Sequence, residues 1–244
     1  MANPTYTFED RFMRKLLLSA MLLCMLTSNA FANFITHDAD AAFTLPNLNS
    51  GNANPNGVWH YGYGSTKTNA SFTAFTAANW IPSADTNLYG FRVQANYTPG
   101  IFRAKKNVFG LLKDQFAMHS GQNPDEFSVL RFVAPTSGLY QMELKWFQGD
   151  TGFVSVDVNT STTNGLVSIA STNSYGDFGV APIQQVNLTQ GEFIELRIGR
   201  AGPLNNDSTP VSFKVTAVPE PSSLACVSGL VAGLSVLSRR RRQA

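Results

Sequence analysis

The chain has 244 residues, 43% hydrophobic and only 14% charged, with a formal charge of +2; this is an ordinary composition for a compact extracellular β protein of one or two domains. The positive charge belongs to the two ends. Residues 33–218 hold 11 basic and 13 acidic side chains, so the body lacks the basic face that nucleic-acid binding requires.

Both cysteines, Cys24 and Cys226, lie in apolar end segments. Disulfides, thiolate catalysis and cysteine-ligated zinc are thereby excluded from the body. In chain order, Met1 to Phe12 precede a second methionine and carry no apolar run. From Met13 the order is basic (Arg14, Lys15), apolar (Leu16 to Leu26), polar (Thr27 to Asn29) and then Ala30-Phe31-Ala32. Small residues at Ala30 and Ala32 are what a signal peptidase reads, so residues 1–32 are expected to be a leader and Asn33 the mature N-terminus.

Residues 33–56 are rich in Asn, Asp, Gly and Pro, with an apolar patch at Phe43 to Leu45. They are expected to wrap the body without nucleating it. A Pro-Asn-Gly turn at 55–57 then feeds a strand that places Trp59, Tyr61 and Tyr63 on one face at period two. Such a stripe is more often the aromatic core of a sheet. The functional alternative is a platform of Trp59, Tyr61, Tyr63 and Trp146 that stacks on sugar rings.

Between residues 64 and 120, short β-prone pieces (Ser71 to Thr76, Leu88 to Gln94, Ile101 to Arg103, Phe109 to Leu112) alternate with turns, and no run reads as a helix. Arg103, Lys105 and Lys106 read as a solvated hairpin tip. Next, 121–126 reads as a turn, and Phe127 to Val133 as a strand covered on both faces. After the Pro135-Thr136-Ser137-Gly138 turn, Tyr140, Met142, Leu144 and Trp146 alternate with Gln141, Glu143 and Lys145, giving a hairpin strand with one wet face. Further strands are expected at Phe153 to Asn159, Gly165 to Ala170, Val186 to Leu188, Phe193 to Ile198 and Val211 to Val215. In the fourth of these Glu195 and Arg197 point away from Ile194, Leu196 and Ile198.

Chemistry-bearing patterns are sparse. Glu126, Glu143, Asp150 and Asp157 are the carboxylates that a glycan-cleaving pair would draw on, but Glu143 and Asp157 read as solvated surface. His37, His60 and His119 lack metal-ligand spacing. No phosphate loop or nucleophile elbow is present. His119 and Glu126 flank a turn and read as a structural network. Hard oxygen donors at Asp38, Asp40 and Asp125-Glu126 could hold a structural calcium; no other cofactor is indicated, and the body reads as non-enzymatic.

The tail runs Pro219-Glu220-Pro221, an apolar stretch from Leu224 to Leu237, then Arg239, Arg240, Arg241 and Arg242. Two prolines about a glutamate make an extended, accessible peptide. The apolar stretch is 14 residues long and holds Gly229 and Gly233, short against the ~20 residues of an ordinary span. Four arginines behind it act as a stop and keep that end cytoplasmic.

This order resembles the PEP-CTERM sorting signal of bacterial exported proteins, in which a membrane transpeptidase, an exosortase, cuts near the motif. The body is also similar to a β-sandwich domain frequent in such proteins. The likeness lies in Asn54 to Tyr63, His119-Ser120-Gly121 through Glu126, Arg131-Phe132-Val133-Ala134-Pro135 and Gly138-Leu139-Tyr140. Phe132 departs from the Trp more usual there, and the likeness brings no known catalytic residue. The expectation is an all-β chain: a leader (1–32), an exported β-sandwich or jelly roll (33–217) and a single-span sorting tail (218–244). The resemblance implies signal peptidase and an exosortase-type transpeptidase as partners. It implies transient residence in the inner membrane, then the cell surface or extracellular matrix, where the body would bind exopolysaccharide. A small glycan-cleaving enzyme and a purely structural surface protein are the alternatives.

Overall fold

Trp59 joins the two halves of the core, its ring lying 5.5 Å from Phe132 in its own sheet and 5.4 Å from Phe213 in the facing one. The structure, a computed structural model, describes residues 34–43, 54–65, 71–81, 84–93, 98–147, 149–150, 152–162, 165–175, 179–180, 183–202 and 207–218. The leader and the tail, including Ala30, Ala32, Asn33, Pro219, Glu220, Pro221 and Arg239 to Arg242, lie outside these residues. No helix among the described residues is long and apolar enough to cross a membrane.

The described chain is almost entirely strand: β1 (Ile35–Asp38), β2 (Trp59–Gly64), β3 (Thr73–Ala74), β4 (Leu88–Arg92), β5 (Gly100–Ala104), β6 (Phe116–His119), β7 (Phe127–Val133), β8 (Gly138–Trp146), β9 (Phe153–Thr162), β10 (Gly165–Tyr175), β11 (Gly179–Val180), β12 (Gln184–Leu188), β13 (Phe193–Arg200) and β14 (Ser208–Val218). Two short helical turns among the described residues interrupt the strands, α1 (Ala39–Ala42) after β1 and a 3-10 turn (Ala77–Asn79) after β3, the latter in a stretch where no helix was expected. The strands form two antiparallel sheets. One has the order β11-β8-β14-β6-β5-β4, with β1 on β14 and β12 on β8; the other runs β10-β9-β13-β7-β2-β3. This sandwich-like architecture agrees with the all-β expectation.

Period-two alternation builds the core from both sheets. Tyr140, Met142, Leu144 and Trp146 of β8 are buried while Glu143 and Lys145 are exposed. Across the interface, the Tyr140 ring lies 5.4 Å from Phe132, and its hydroxyl donates to the Thr136 carbonyl at 2.7 Å. Ile194, Leu196 and Ile198 of β13 face inward beside Val154, Val156 and Val158 of β9.

Four further expectations are corrected. The stretch after Asn33 does more than wrap: β1 pairs Ile35 with Ala217 through Asp38 with Lys214, and Phe43 is fully buried, its ring 4.9 Å from Phe116 and 5.1 Å from Tyr61. The Phe109 to Leu112 piece is a tight turn with Phe109 and Gly110 at φ 53 and 69, because its tip packs on Gly149, whose carbonyl oxygen would lie 2.2 Å from a Cβ at Gly110. β6 was not anticipated from its four residues.

The fourth correction concerns the outer face of the six-stranded sheet, where Asp157 was expected to be solvated and is 4% exposed. Glu195, Arg197 and Asp157 are buried. Register places Glu195 between Arg131 and Asn159, and Arg197 beside Asp157. The Arg131 guanidinium lies over the rings of Phe72 and Phe193, at 4.1 and 3.8 Å from their centroids. Gly62 makes room for this cover, since a Cβ there would meet the Phe72 ring at 2.5 Å.

Candidate functional site

The sequence-expected platform does not form. Trp59, Tyr61 and Trp146 are 2%, 0% and 8% exposed, and Tyr63 is half-buried with its ring 5.6 Å from Phe75. These rings are core, for the reason the sequence itself favours: burying apolar ring area is worth more than exposing it. Sugar stacking on them is therefore set aside.

A surface cleft of about 400 Å³ opens instead beside α1, lined by Asp38, Asp40, Tyr89, Arg103 and Asp114 among others. Its walls come from distant segments. Asp38 caps α1, accepting from the Asp40 and Ala41 amides at 3.0 and 3.3 Å, as short polar side chains do at helix starts. Its other carboxylate oxygen takes Lys214 Nζ at 2.9 Å. Asp38 thereby raises the Lys214 ammonium above its ordinary range, through the hydrogen bond first and charge second.

Arg103 is the hub of the cleft and not a solvated hairpin tip. Its Nη2 donates to Asp40 Oδ1, to the Asp40 carbonyl at 2.6 Å and to the Phe43 carbonyl at 3.1 Å, while Nη1 reaches the Asp114 carbonyl at 2.7 Å. One guanidinium so ties the N-terminal segment to β5 and to the turn before β6, because its planar fork serves several oxygens at once. Tyr89 supplies the aromatic wall; burial pushes its phenol up, with Arg103 pulling the other way.

The remaining candidates disperse. Glu126 closes its own turn: its Oε2 accepts from the Gln122 amide at 2.8 Å and the Asn123 amide at 3.2 Å, and Oε1 from Asn123 Nδ2 at 2.8 Å. The structural reading of that turn holds for Glu126, whereas His119 directs Nδ1 to the Ser120 carbonyl at 2.8 Å. His37 packs on Phe132, and His60 lies opposite Arg131. Asp38 and Asp40 serve the chain's own cations, so the expected calcium ligands do not converge. No group of three or more His, Cys, Asp or Glu side chains among the described residues forms a metal cluster.

Sequence reasoning missed one buried polar cluster, at the end where β6 meets β14. Ser120 and Asp207 are buried there, with Ser120 Oγ donating to Asp207 Oδ2 at 2.8 Å. Burial pushes the Asp207 carboxyl up to about 6, helped by Asp150 and opposed by the Ser120 hydroxyl and Arg200. Asp207 falls between the strands expected at Phe193 to Ile198 and Val211 to Val215, and it lies 87 residues from Ser120, so no local spacing could have joined them.

No protein-family model matches the chain, and no curated protein matches it. Among solved structures, a family 35 carbohydrate-binding module from Clostridium thermocellum is similar at 16% identity and a TM-score of 0.29, over 46% of this chain and 86% of that one. The β-(1,4)-mannanase GH26-CBM35 of Podospora anserina is similar at 11% identity and a TM-score of 0.32, over 78% of this chain and 29% of that one. The globular domain of zebrafish complement 1qA protein is similar at 12% identity and a TM-score of 0.28, over 35% of this chain; the match spans 65% of that domain. Likeness at this level carries no weight for function.

Proposed function

We propose that this is a non-enzymatic exported protein, sorted through a PEP-CTERM tail to the cell surface or matrix, where its β-sandwich binds polysaccharide. The observation that carries the reading is the order at the C-terminus. The last strand ends at Val218, and Pro219-Glu220-Pro221, the short apolar stretch and Arg239 to Arg242 follow it directly. A transpeptidase reading that motif just outside the inner membrane would release the body and leave the arginine end behind. Signal peptidase acts at the other end, after Ala32.

For the body, the cleft beside α1 supports binding of a hydroxyl-rich ligand. It is open, one wall is the ring of Tyr89, and carboxylates of Asp38, Asp40 and Asp114 line it. Carboxylate oxygens accept from sugar hydroxyls, whereas Tyr89, only 6% exposed and stacked on Phe43, closes the cleft's wall without offering a free ring face. Two of the three carboxylates are already engaged with Arg103 and Lys214. That arrangement fixes the cleft's shape and is a poor start for proton transfer to a leaving group, which favours binding over cleavage.

Affinity electrophoresis through gels containing neutral or acidic polysaccharides tests the reading. At least one polymer should retard the protein, and Asp114→Asn should reduce that retardation tenfold or more, about 1.4 kcal/mol. Release of reducing ends from any of these polymers would favour the glycan-cleaving alternative. Absence of retardation by all of them would remove the binding function.

A further inference from the structure

A polar cluster where β6, β13, β14 and the turn after β8 meet links His119, Ser120, Asp150, Arg200 and Asp207. Asp207 is 1% exposed. Its Oδ2 is bonded to Ser120, but Oδ1 is buried with no hydrogen-bond partner. A carboxylate oxygen that is both dry and unbonded is costly, and folded chains relieve it with a donor or a cation. The nearest cationic side chain is spent elsewhere: Arg200 donates Nε to the Gly202 carbonyl at 2.6 Å and Nη1 to the Gln122 carbonyl at 2.5 Å. His119 turns Nδ1 to the Ser120 carbonyl.

Asp150 brings a second carboxylate whose field reaches both Asp207 and His119. Its turn is clamped to the start of β14: the Asp150 amide donates to the Ser208 carbonyl at 3.1 Å. Gly149 lies flush on the same group, with the Ser208 oxygen 2.0 Å from where its Cβ would be. The half-buried Asp150 is thereby held by its main chain beside the start of β14, one residue from the buried Asp207 and its Ser120 hydroxyl.

We propose that Asp150 and Asp207 are carboxylate ligands of a hard divalent cation, calcium by preference, with neighbouring main-chain and hydroxyl oxygens completing its shell. Calcium takes six to eight oxygens in loose geometry and accepts carbonyls as readily as carboxylates, so the site does not require a third acidic side chain. Magnesium demands near-ideal octahedral geometry and keeps its waters, which suits a buried carboxylate such as Asp207 less. The cation would pin the turn after β8 to the start of β14, as a structural ion and not a catalytic one.

The test uses the full chain, purified in detergent, stripped with EDTA and titrated with calcium or magnesium chloride while its melting midpoint and binding heat are followed. Calcium is expected to raise the midpoint by about 5 °C or more, and magnesium less. Asp207→Asn should abolish the calcium shift yet melt no lower than wild type in EDTA, because the amide leaves no orphaned charge. Should that variant not fold, Asp150→Asn should weaken calcium binding about tenfold or more, a typical loss for an impaired ligand shell. A wild-type protein with no calcium heat and no shift would overturn the proposal, as would an Asp207→Asn protein that keeps the full shift. A midpoint that rises on acidification to pH 5 but ignores calcium would also overturn it, since a proton would then be what satisfies Oδ1.

Discussion

Glu195 and Arg197, two residues apart on β13, meet at 2.5 Å with neither side chain exposed. The same carboxylate accepts from Arg131 Nη2 at 2.9 Å and Nε at 3.1 Å, so one buried anion serves two guanidiniums. Burial lowers Arg131 from its ordinary range, and Glu195 opposes that shift. Removing the anion would take it from both guanidiniums, Arg131 beneath Phe72 and Phe193 and Arg197 fully buried. Glu195→Gln is therefore expected to destabilise the fold by roughly 3–5 kcal/mol, the usual cost of breaking a buried pair. A urea titration measures it, and a loss below about 1 kcal/mol would mean the arginines find other partners.

Phe43 should matter as much from the opposite edge of the core. It is 0% exposed and touches the rings of Tyr61, Tyr89, Phe91 and Phe116. Phe43→Ala should cost about 3–5 kcal/mol, as large cavities do. Arg103→Met, which releases the Asp40 and Phe43 carbonyls and Asp40 itself, should make the segment before Phe43 the first to yield to limited proteolysis. Equal protection in wild type and variant would refute the anchoring role of Arg103.

His60 sets an acid limit. Burial, and then the charge of Arg131, lower its pKa below the ordinary 6.5. The folded state therefore resists a proton that the unfolded chain accepts. The stability tied to this group is present above about pH 6.5 and is lost as pH falls through the window down to the lowered folded value. His60→Gln should flatten that part of the stability profile, read from urea midpoints between pH 7.5 and 5. An unchanged profile would mean that other groups dominate the acid limb.

Reducing agent should leave the melting temperature of the body unchanged, since neither Cys24 nor Cys226 falls within Phe34–Val218. A drop of several degrees would show that Cys24 and Cys226 bridge the two end segments across the body.

Much of the sheet pattern was legible because alternation has a direct physical meaning. Gln141, Glu143 and Lys145 lie opposite Tyr140, Met142, Leu144 and Trp146 as read, and the turn closed by Glu126 follows its local sequence. Alternation does not say what covers the polar face. Asp157 read as solvated, and Glu195 and Arg197 only as facing away from Ile194, Leu196 and Ile198, yet all three are buried, and Phe72 and Phe193 roof the neighbouring Arg131. The cleft was illegible for a similar reason. Tyr89, Arg103 and Asp114 are joined to Asp38 and Asp40 only by folding, with 63 residues between the paired Asp40 and Arg103. The aromatic stripe at Trp59, Tyr61 and Tyr63 was visible, but its use as core is decided by the facing sheet, where Phe213 and Phe91 lie.

The most direct test of the central claim is mass spectrometry of the C-terminal peptide of surface-located protein from a host that carries the transpeptidase. The account predicts a C-terminus at or near Pro219-Glu220-Pro221, and full-length protein held in the inner membrane when Glu220→Ala and Pro221→Ala are combined. Surface-located protein with Arg239 to Arg242 intact, fractionating like that double variant, would contradict it.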